Sequence, residues 1–122
     1  MKSYKELVVW QKAINLCVKV YQITDSFPKS EVYGLTSQIR RSAVSIPSNI
    51  AEGHSRGHKE FIQFLRIAFG SGAELETQLL IALKIKYLMQ KQYEELNLLL
   101  VEVMKMLNKL INVLLVPNRL TV

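Results

Sequence analysis

The chain has 122 residues, of which 49% are hydrophobic, with only five Gly and three Pro. That length suits a single domain with one core, and the composition excludes a disordered, collagen-like or linker-dominated chain. Sixteen Lys and Arg against ten Asp and Glu leave a formal charge of +6. This charge favours polyanionic partners such as nucleic acid, although solubility alone also accounts for a basic surface. We expect one domain over residues 1–122.

No secretion signal or membrane span is predicted. Lysines recur throughout residues 1–21 and interrupt any apolar stretch that could act as a signal peptide. The most apolar tract, residues 96–116, carries Glu102 and Lys105, which a bilayer would have to bury. The single Cys17 cannot form a disulfide within the chain and lies at an apolar helical position, as in a reducing compartment. We therefore expect a cytoplasmic protein.

Helix boundary signals divide the chain into four helical segments. Ser3 and Glu6 form a predicted capping box at the start of the first segment. Ser30 and Gly53 are predicted to begin and end the second, and Pro117 ends the fourth. Apolar residues recur at intervals of three and four between these signals. The predicted helices cover approximately residues 4–25, 31–52, 58–89 and 92–116.

Short connections between long helices favour antiparallel neighbours, so the predicted fold is an all-α, up-down-up-down antiparallel four-helix bundle. Two features break the helical pattern. Pro47 lacks an N–H and predicts a kink or local irregularity in the second helix. Gly70 and Gly72 cost about 1 kcal/mol each relative to alanine in the third, which predicts close approach of another helix.

The second helix carries three distinct stripes at 100° per residue. Its predicted core stripe consists of Leu35, Ile39, Ala43, Ile46 and Ile50. A wholly polar stripe consists of Gln38, Arg41, Ser45, Asn49 and Glu52. A third, mostly small and apolar stripe consists of Arg40, Val44, Pro47 and Ala51.

The third stripe gives the second helix more apolar surface than a lone surface helix needs. We therefore predict a homo-oligomer with Val44, Pro47 and Ala51 at the subunit interface. The alternative is that a wide core face within one bundle covers both apolar stripes.

The arginines beside the polar stripe suggest a nucleic-acid-binding surface. Arg40, Arg41 and the loop residue Arg56 can present guanidinium groups to phosphates. In the alternative, structural interpretation, Arg41 pairs with a carboxylate such as that of Glu31, Glu52, Glu74 or Glu76, and Asn49 satisfies backbone groups near Pro47.

The same region resembles a known family. Residues 38–53, followed by Arg56 and by Glu60-Phe61-x-x-Phe64-Leu65, are similar to the signature of the four-helix bundle proteins encoded in intervening sequences of bacterial large-subunit ribosomal RNA genes. The resemblance extends from Tyr4 to about Leu110. Further matching segments are Phe27-Pro28, Glu31, Tyr33-Gly34-Leu35, and residues 68–71 through Glu74-Leu75-Glu76.

The resemblance implies a four-helix subunit in a ring-like homopentamer with no established enzymatic activity. Similar proteins include the accessory variability determinant of diversity-generating retroelements, which binds nucleic acid and a partner reverse transcriptase through a basic surface. By this resemblance, Arg40, Arg41 and Arg56 are the expected contributors to such a surface.

Signals for catalysis or a metal are weak. His54 and His58 flank Gly57 in a predicted loop and lack a His-Glu-x-x-His arrangement. Glu74 and Glu76 are two positions apart and point to different sides of a helix, which does not suit a paired acid and base. No phosphate-binding glycine loop or nucleophile elbow occurs in the sequence. We expect no metal, no cofactor and no enzymatic activity.

The sequence therefore predicts an oligomeric module that engages RNA or DNA, with a possible protein partner such as a reverse transcriptase. The main alternative is a protein-interaction or scaffolding module whose charge serves solubility. A nuclease or other enzyme is a third hypothesis, and it would require a carboxylate or histidine cluster.

Overall fold

The computed structural model describes residues 3–116, which fold into four α-helices without a β-strand. Two short 3₁₀ turns, Tyr4–Glu6 and Lys29–Glu31, precede the first and second helices. The helices are α1 Val8–Thr24, α2 Leu35–His54, α3 His58–Lys84 and α4 Gln90–Leu115. The predicted all-α fold is confirmed.

The four helices form an antiparallel bundle. Each helix packs against the next, and α4 also packs against α1, while within the described residues the diagonal pairs α1–α3 and α2–α4 have no Cα atoms within 8 Å of each other. Lys12 pairs with Glu102 at 3.1 Å, and Lys19 further along α1 pairs with Glu95, which is earlier in α4. These two ion pairs show that α1 and α4 run in opposite directions. The predicted bundle is confirmed.

One continuous apolar core lies between the helices, as the three-and-four periodicity predicts. Of the predicted α2 core stripe, only Leu35 is half-buried, and the remaining four residues are buried. Leu65 and Leu75 of α3 and Leu107 of α4 are fully buried opposite them. In residues 3–116, no helix is both long enough and apolar enough to cross a lipid bilayer.

The predicted capping box at the N-terminus is present, but it does not begin α1. The Ser3 hydroxyl accepts the Lys5 N–H, and the Glu6 carboxylate accepts the Ser3 N–H, each at 3.1 Å. These bonds close the 3₁₀ turn, after which Leu7 takes an extended conformation with φ −71° and ψ 124°. α1 therefore begins at Val8, and its predicted start at residue 4 is wrong.

The second helix begins at Leu35, four residues later than predicted, and Ser30 is not its cap. The Glu31 carboxylate instead accepts the Leu35 N–H at 2.9 Å and the Tyr87 hydroxyl at 2.9 Å. A Cβ at Gly34 would lie 2.5 Å from the Glu31 Oε1 atom. Glycine at position 34 therefore lets a carboxylate from the preceding turn reach the end of the helix.

The connection between α3 and α4 begins earlier than predicted because Lys86 adopts a positive φ of 68°. The N–H groups of Tyr87 and Leu88 then both donate to the Ala82 carbonyl, at 2.8 and 3.2 Å. This arrangement ends α3 at Lys84 instead of residue 89. Because the residue in this conformation is a lysine, the glycine signal used to predict helix ends was missing.

Helix contacts explain two of the three central glycines. A Cβ at Gly53 would lie 2.5 Å from the Phe64 Cβ atom, and one at Gly72 would overlap the Met104 sulfur of α4. The space beside Gly72 is therefore filled by the Met104 side chain of α4, whereas Gly70 has nothing within 4 Å. Gly53 does not end α2, which continues through His54. Pro47 lies buried within that uninterrupted helix.

Candidate nucleic-acid interface

Arg40 joins α2 to the C-terminal end of α1. Its Nε donates to the Thr24 Oγ1 atom at 3.0 Å and its Nη2 to the Tyr21 carbonyl at 3.4 Å. The guanidinium carbon also lies 4.6 Å from the centroid of the Tyr21 ring, within the range of a cation–π contact. Thr24 is buried and bonded in turn to the Val20 carbonyl. Arg40 is thus a half-buried packing residue that leaves only part of its guanidinium for a ligand.

Arg41 differs from Arg40, because its side chain is exposed and has no ion pair or hydrogen bond with the described residues. None of the carboxylates considered as its partners pairs with it: Glu31 caps α2, Glu52 pairs with Arg56, and Glu74 and Glu76 form no ion pair with the described residues. The structural alternative for Arg41 is therefore wrong. Its guanidinium lines a shallow cleft of about 380 Å³. The cleft is formed by Tyr21, Val32, Thr36, Ser37, Arg40, Arg41 and Val44.

Arg56 is held at the opposite end of α2. Its Nε and Nη2 both lie 2.9 Å from the Glu52 Oε2 atom. The guanidinium carbon also lies 5.1 Å from the centroid of the Phe64 ring on α3. Fifteen positions separate Arg56 from Arg41, which corresponds to about 22 Å of helical rise. The structure therefore does not bring the three predicted arginines into one cluster.

The polar stripe of α2 faces α3 at its centre. The Ser45 and Ser71 hydroxyl oxygens lie 2.8 Å apart, and Asn49 Nδ2 donates to the Ser45 hydroxyl at 2.9 Å and to the Ser45 carbonyl at 2.8 Å. Ser71 is buried, and Ser45 and Asn49 are half-buried. The structural interpretation is therefore confirmed for these polar residues, which satisfy each other inside the helix–helix contact.

The third stripe of α2 is only partly open. Pro47 is buried by its own bundle and Ala51 is half-buried, whereas the Val44 side chain is 39% exposed. The wide core face considered as the alternative therefore accounts for Pro47. Of the three predicted interface residues, Val44 retains the most surface for a second subunit.

A second basic surface, which sequence reasoning missed, lies on α3 and the C-terminal half of α4. Two adjoining clefts share Asn108 and Asn112 as walls, and one has a volume of about 400 Å³. We call this surface the α3–α4 strip. It consists of Arg66, Phe69, Lys105, Asn108, Lys109 and Asn112. Its sequence signal is the absence of any acidic residue after Glu102, while Lys105 and Lys109 continue along α4.

The two histidines have separate packing contacts. The His54 ring lies edge-on to Phe61 with 5.5 Å between centroids, and His58 Nε2 lies 2.9 Å from the Leu114 carbonyl oxygen. Within residues 3–116, no three His, Cys, Asp or Glu side chains lie close enough together to hold a metal ion. His58 thereby links the start of α3 to the end of α4.

Hydrogen bonding or burial shifts the pKa values of three side chains, Glu31, Tyr87 and Cys17. The Leu35 N–H, and then the Tyr87 hydroxyl, lower the pKa of Glu31 below its ordinary value. The hydrogen bond to Glu31 raises the pKa of Tyr87. Burial raises the pKa of Cys17, so its thiol is less prone to ionise than a free cysteine. These shifts belong to the bundle scaffold.

Comparisons with known proteins agree with this fold. A family model described as 23S rRNA-intervening sequence protein matches residues 5–109. The chain is also similar to a protein with unknown function from the S23 ribosomal protein family of Bacteroides thetaiotaomicron, whose crystal structure is known. That likeness has a TM-score of 0.77 and 29% identity, and covers 85% of this chain and 98% of the other. No curated protein matches the sequence.

Proposed function

Because this chain belongs to the 23S rRNA-intervening sequence protein family, we propose that it is a non-enzymatic, oligomeric module that engages nucleic acid through a basic surface. The observation that carries the proposal is Arg41. This arginine is exposed, lacks a carboxylate partner among the described residues, and lines a cleft together with the half-buried Arg40. A cation without a protein partner is available to a phosphate, and the net charge of +6 attracts polyanions at longer range.

The nucleic-acid part of the proposal is tested by titrating labelled RNA and DNA at several salt concentrations. We expect affinity to fall steeply with salt, and Arg41→Ala to weaken binding while Arg41→Lys retains part of it. Lys91→Ala is the matched control, because Lys91 is also exposed but lies on α4. A wild-type protein without salt-dependent binding to any single strand or duplex would refute the proposal.

Apolar residues on the outer face of α3 support self-association. Ile67 and Ile81 are 51% and 45% exposed and lie on one side of α3, and Ile85, which directly follows the helix, is 48% exposed. Together with Val44 they leave apolar surface that a second copy of the chain could cover. A homopentamer is the assembly that the family resemblance implies, and a reverse transcriptase is the protein partner it implies.

Light scattering tests the assembly. We expect the wild-type protein to be oligomeric and Ile81→Lys to shift it towards the monomer, because the new charge would have to be buried at the interface. Gln22→Lys, at an exposed position of α1, adds the same charge away from this face of α3; it is the control and should leave the mass unchanged. A monomeric wild-type protein at high concentration would exclude the oligomer.

A scaffolding function without direct nucleic-acid contact is the second candidate. It is favoured by Leu98 of α4 and Tyr33 before α2, whose side chains are 74% and 95% exposed. Tyr is one of the residue types enriched at the energetic centres of protein interfaces, and Leu98 adds exposed apolar surface. Recovery of a protein partner that survives nuclease treatment and is lost on Leu98→Ser would favour this function.

A further inference from the structure

The α3–α4 strip is a basic surface without carboxylates. Its side chains supply three cations, Arg66, Lys105 and Lys109, and the residues that line its two clefts include no Asp or Glu. Elsewhere on the bundle the half-buried Lys12 and Lys19 and the exposed Arg56 are each paired with a glutamate, whereas Arg41, Lys84 and Lys91 are exposed and have no ion pair within residues 3–116. The strip differs from these single cations because it presents three unneutralised positive charges along two adjoining clefts.

No side-chain ion pair or hydrogen bond joins the three cations of the strip to other described residues. All three are exposed, as are the amides Asn108 and Asn112 between them. An anionic ligand would therefore not have to displace a carboxylate within the chain. Binding to the strip would not break any of the chain's ion pairs.

The spacing of the strip suits a chain of phosphates. Lys105 and Lys109 are one helical turn apart, with a rise of about 6 Å, and point to the same side of α4. Asn108 and Asn112 have the same spacing and form the shared wall of the two clefts. Arg66 approaches this wall from α3. Successive phosphates along one strand could therefore meet lysine, amide and guanidinium donors in order.

Phe69 adds an aromatic surface beside this row of donors. Its side chain is 37% exposed and lines the same cleft as Arg66, one turn away on α3. Aromatic rings next to a basic groove stack unpaired bases of any sequence, which a duplex does not offer because its bases are already stacked. The ring thus selects for single strands.

From these observations we infer that the α3–α4 strip binds single-stranded nucleic acid, with phosphates on Lys105, Lys109 and Arg66 and a base on Phe69. The inference rests on the proposed nucleic-acid function but assigns it to a surface different from the one around Arg41. The two surfaces lie at opposite ends of the bundle. Arg41 is near the end of α1, next to Tyr21, whereas Lys109 lines a groove with Leu7 and Val8 at its start.

The test is fluorescence anisotropy with RNA and DNA single strands of about 12 nucleotides and the corresponding duplexes. The double variant Lys105→Ala/Lys109→Ala is compared with Lys84→Ala/Lys91→Ala, which removes the same charge from exposed positions at the other end of α3 and α4. We expect the first variant to bind single strands about tenfold more weakly than the second. Its slope of log affinity against log salt should fall by about 1.4, because each single-strand phosphate contact contributes about 0.7.

Phe69→Leu separates base stacking from charge. It keeps an apolar side chain but removes the ring, so single-strand affinity should fall about fivefold or more with an unchanged salt slope. Circular dichroism checks that each variant is folded. RNA and DNA strands are compared because both present a phosphate backbone and stackable bases, so tighter binding by either supports the inference and shows which strand is preferred.

Several results would overturn the inference. They are a double variant no weaker than its control, a duplex bound more tightly than its single strand, or an unchanged affinity in Phe69→Leu. If Arg41→Ala loses binding and the strip variants do not, the inference that the α3–α4 strip binds single strands is overturned, and the proposed function remains intact. If the wild-type protein binds no nucleic acid, both fall.

Discussion

The hydroxyl oxygens of Ser45 on α2 and Ser71 on α3 lie 2.8 Å apart across the most extensive helix contact of the bundle. Asn49 donates to the same Ser45 hydroxyl, so three polar side chains form a chain of hydrogen bonds in a largely apolar contact. Such buried polar groups stabilise a fold only when each has a partner, because an unpaired hydroxyl loses its bonds to water. The pair therefore fixes the register of α2 on α3.

We predict that a double-mutant cycle on Ser45→Ala and Ser71→Ala will show a coupling of about 1 kcal/mol in the free energy of unfolding. Alanine also favours the helix at each site, and Ser48→Ala, at an exposed position of α2, measures that gain separately. Urea denaturation gives the values. Additive single substitutions would show that the hydroxyl contact contributes nothing.

The central glycines should respond oppositely to alanine. The Cβ atom added by Gly70→Ala has no neighbour within 4 Å. Because alanine has the higher helix propensity, this substitution should raise the free energy of unfolding by about 1 kcal/mol. The Cβ atom added by Gly53→Ala would lie 2.5 Å from the Phe64 Cβ atom, which cannot move unless α3 moves with it. This substitution should lower the free energy of unfolding by about 1–3 kcal/mol. Thermal unfolding at one fixed protein concentration compares them. Equal shifts in the melting temperature of the two variants would contradict the close contact between Gly53 and Phe64.

Substitution of the neighbouring Arg40 and Arg41 should have different effects on stability. Arg40→Ala removes the hydrogen bonds to Thr24 and Tyr21 and should lower the free energy of unfolding by about 1 kcal/mol, a value reduced for partial exposure. Arg41→Ala removes no side-chain contact and should change it by less than about 0.5 kcal/mol. Denaturant unfolding of the two variants side by side is the measurement. A large destabilisation by Arg41→Ala would reveal a structural role and weaken the proposed function.

Acid should weaken the start of α2. Because the pKa of Glu31 is lowered in the folded chain, its contribution is complete above the ordinary value of 4.5 and is lost as pH falls through the lower folded value. We therefore predict that Glu31→Gln will be less stable than wild type at neutral pH and that the difference will shrink as the pH falls below 4.5. Urea unfolding across that range measures it.

Tyr87→Phe provides the control for the acid effect. It removes one of the two hydrogen bonds that lower the pKa of Glu31, so its acid-dependent loss of stability should lie between those of wild type and Glu31→Gln. An acid dependence in Glu31→Gln equal to that of wild type would assign the effect to another carboxyl group.

The sequence determined the helix count and the core. Ile39, Ala43, Ile46 and Ile50 recur at helical spacing, and burying such a stripe is the dominant gain available to a chain of this size. Most errors occurred at helix ends. The Glu31 side chain replaced Ser30 as the cap, and Lys86 took a conformation usually signalled by glycine. The start of α2 depends on a carboxylate that also bonds the distant Tyr87, and the end of α3 depends on two local bonds to the Ala82 carbonyl, neither of which periodicity encodes.

The candidate site was decided by tertiary structure. Sequence placed Arg40, Arg41 and Arg56 near one another as equivalent cations, but packing against Tyr21 and Phe64 and pairing with Glu52 left only Arg41 free. The α3–α4 strip joins Arg66 to Lys105 and Lys109 across about 40 positions of sequence, because α3 and α4 are antiparallel neighbours. Periodicity fixes which face of a helix is buried, but which exposed charges become neighbours depends on how the helices pack.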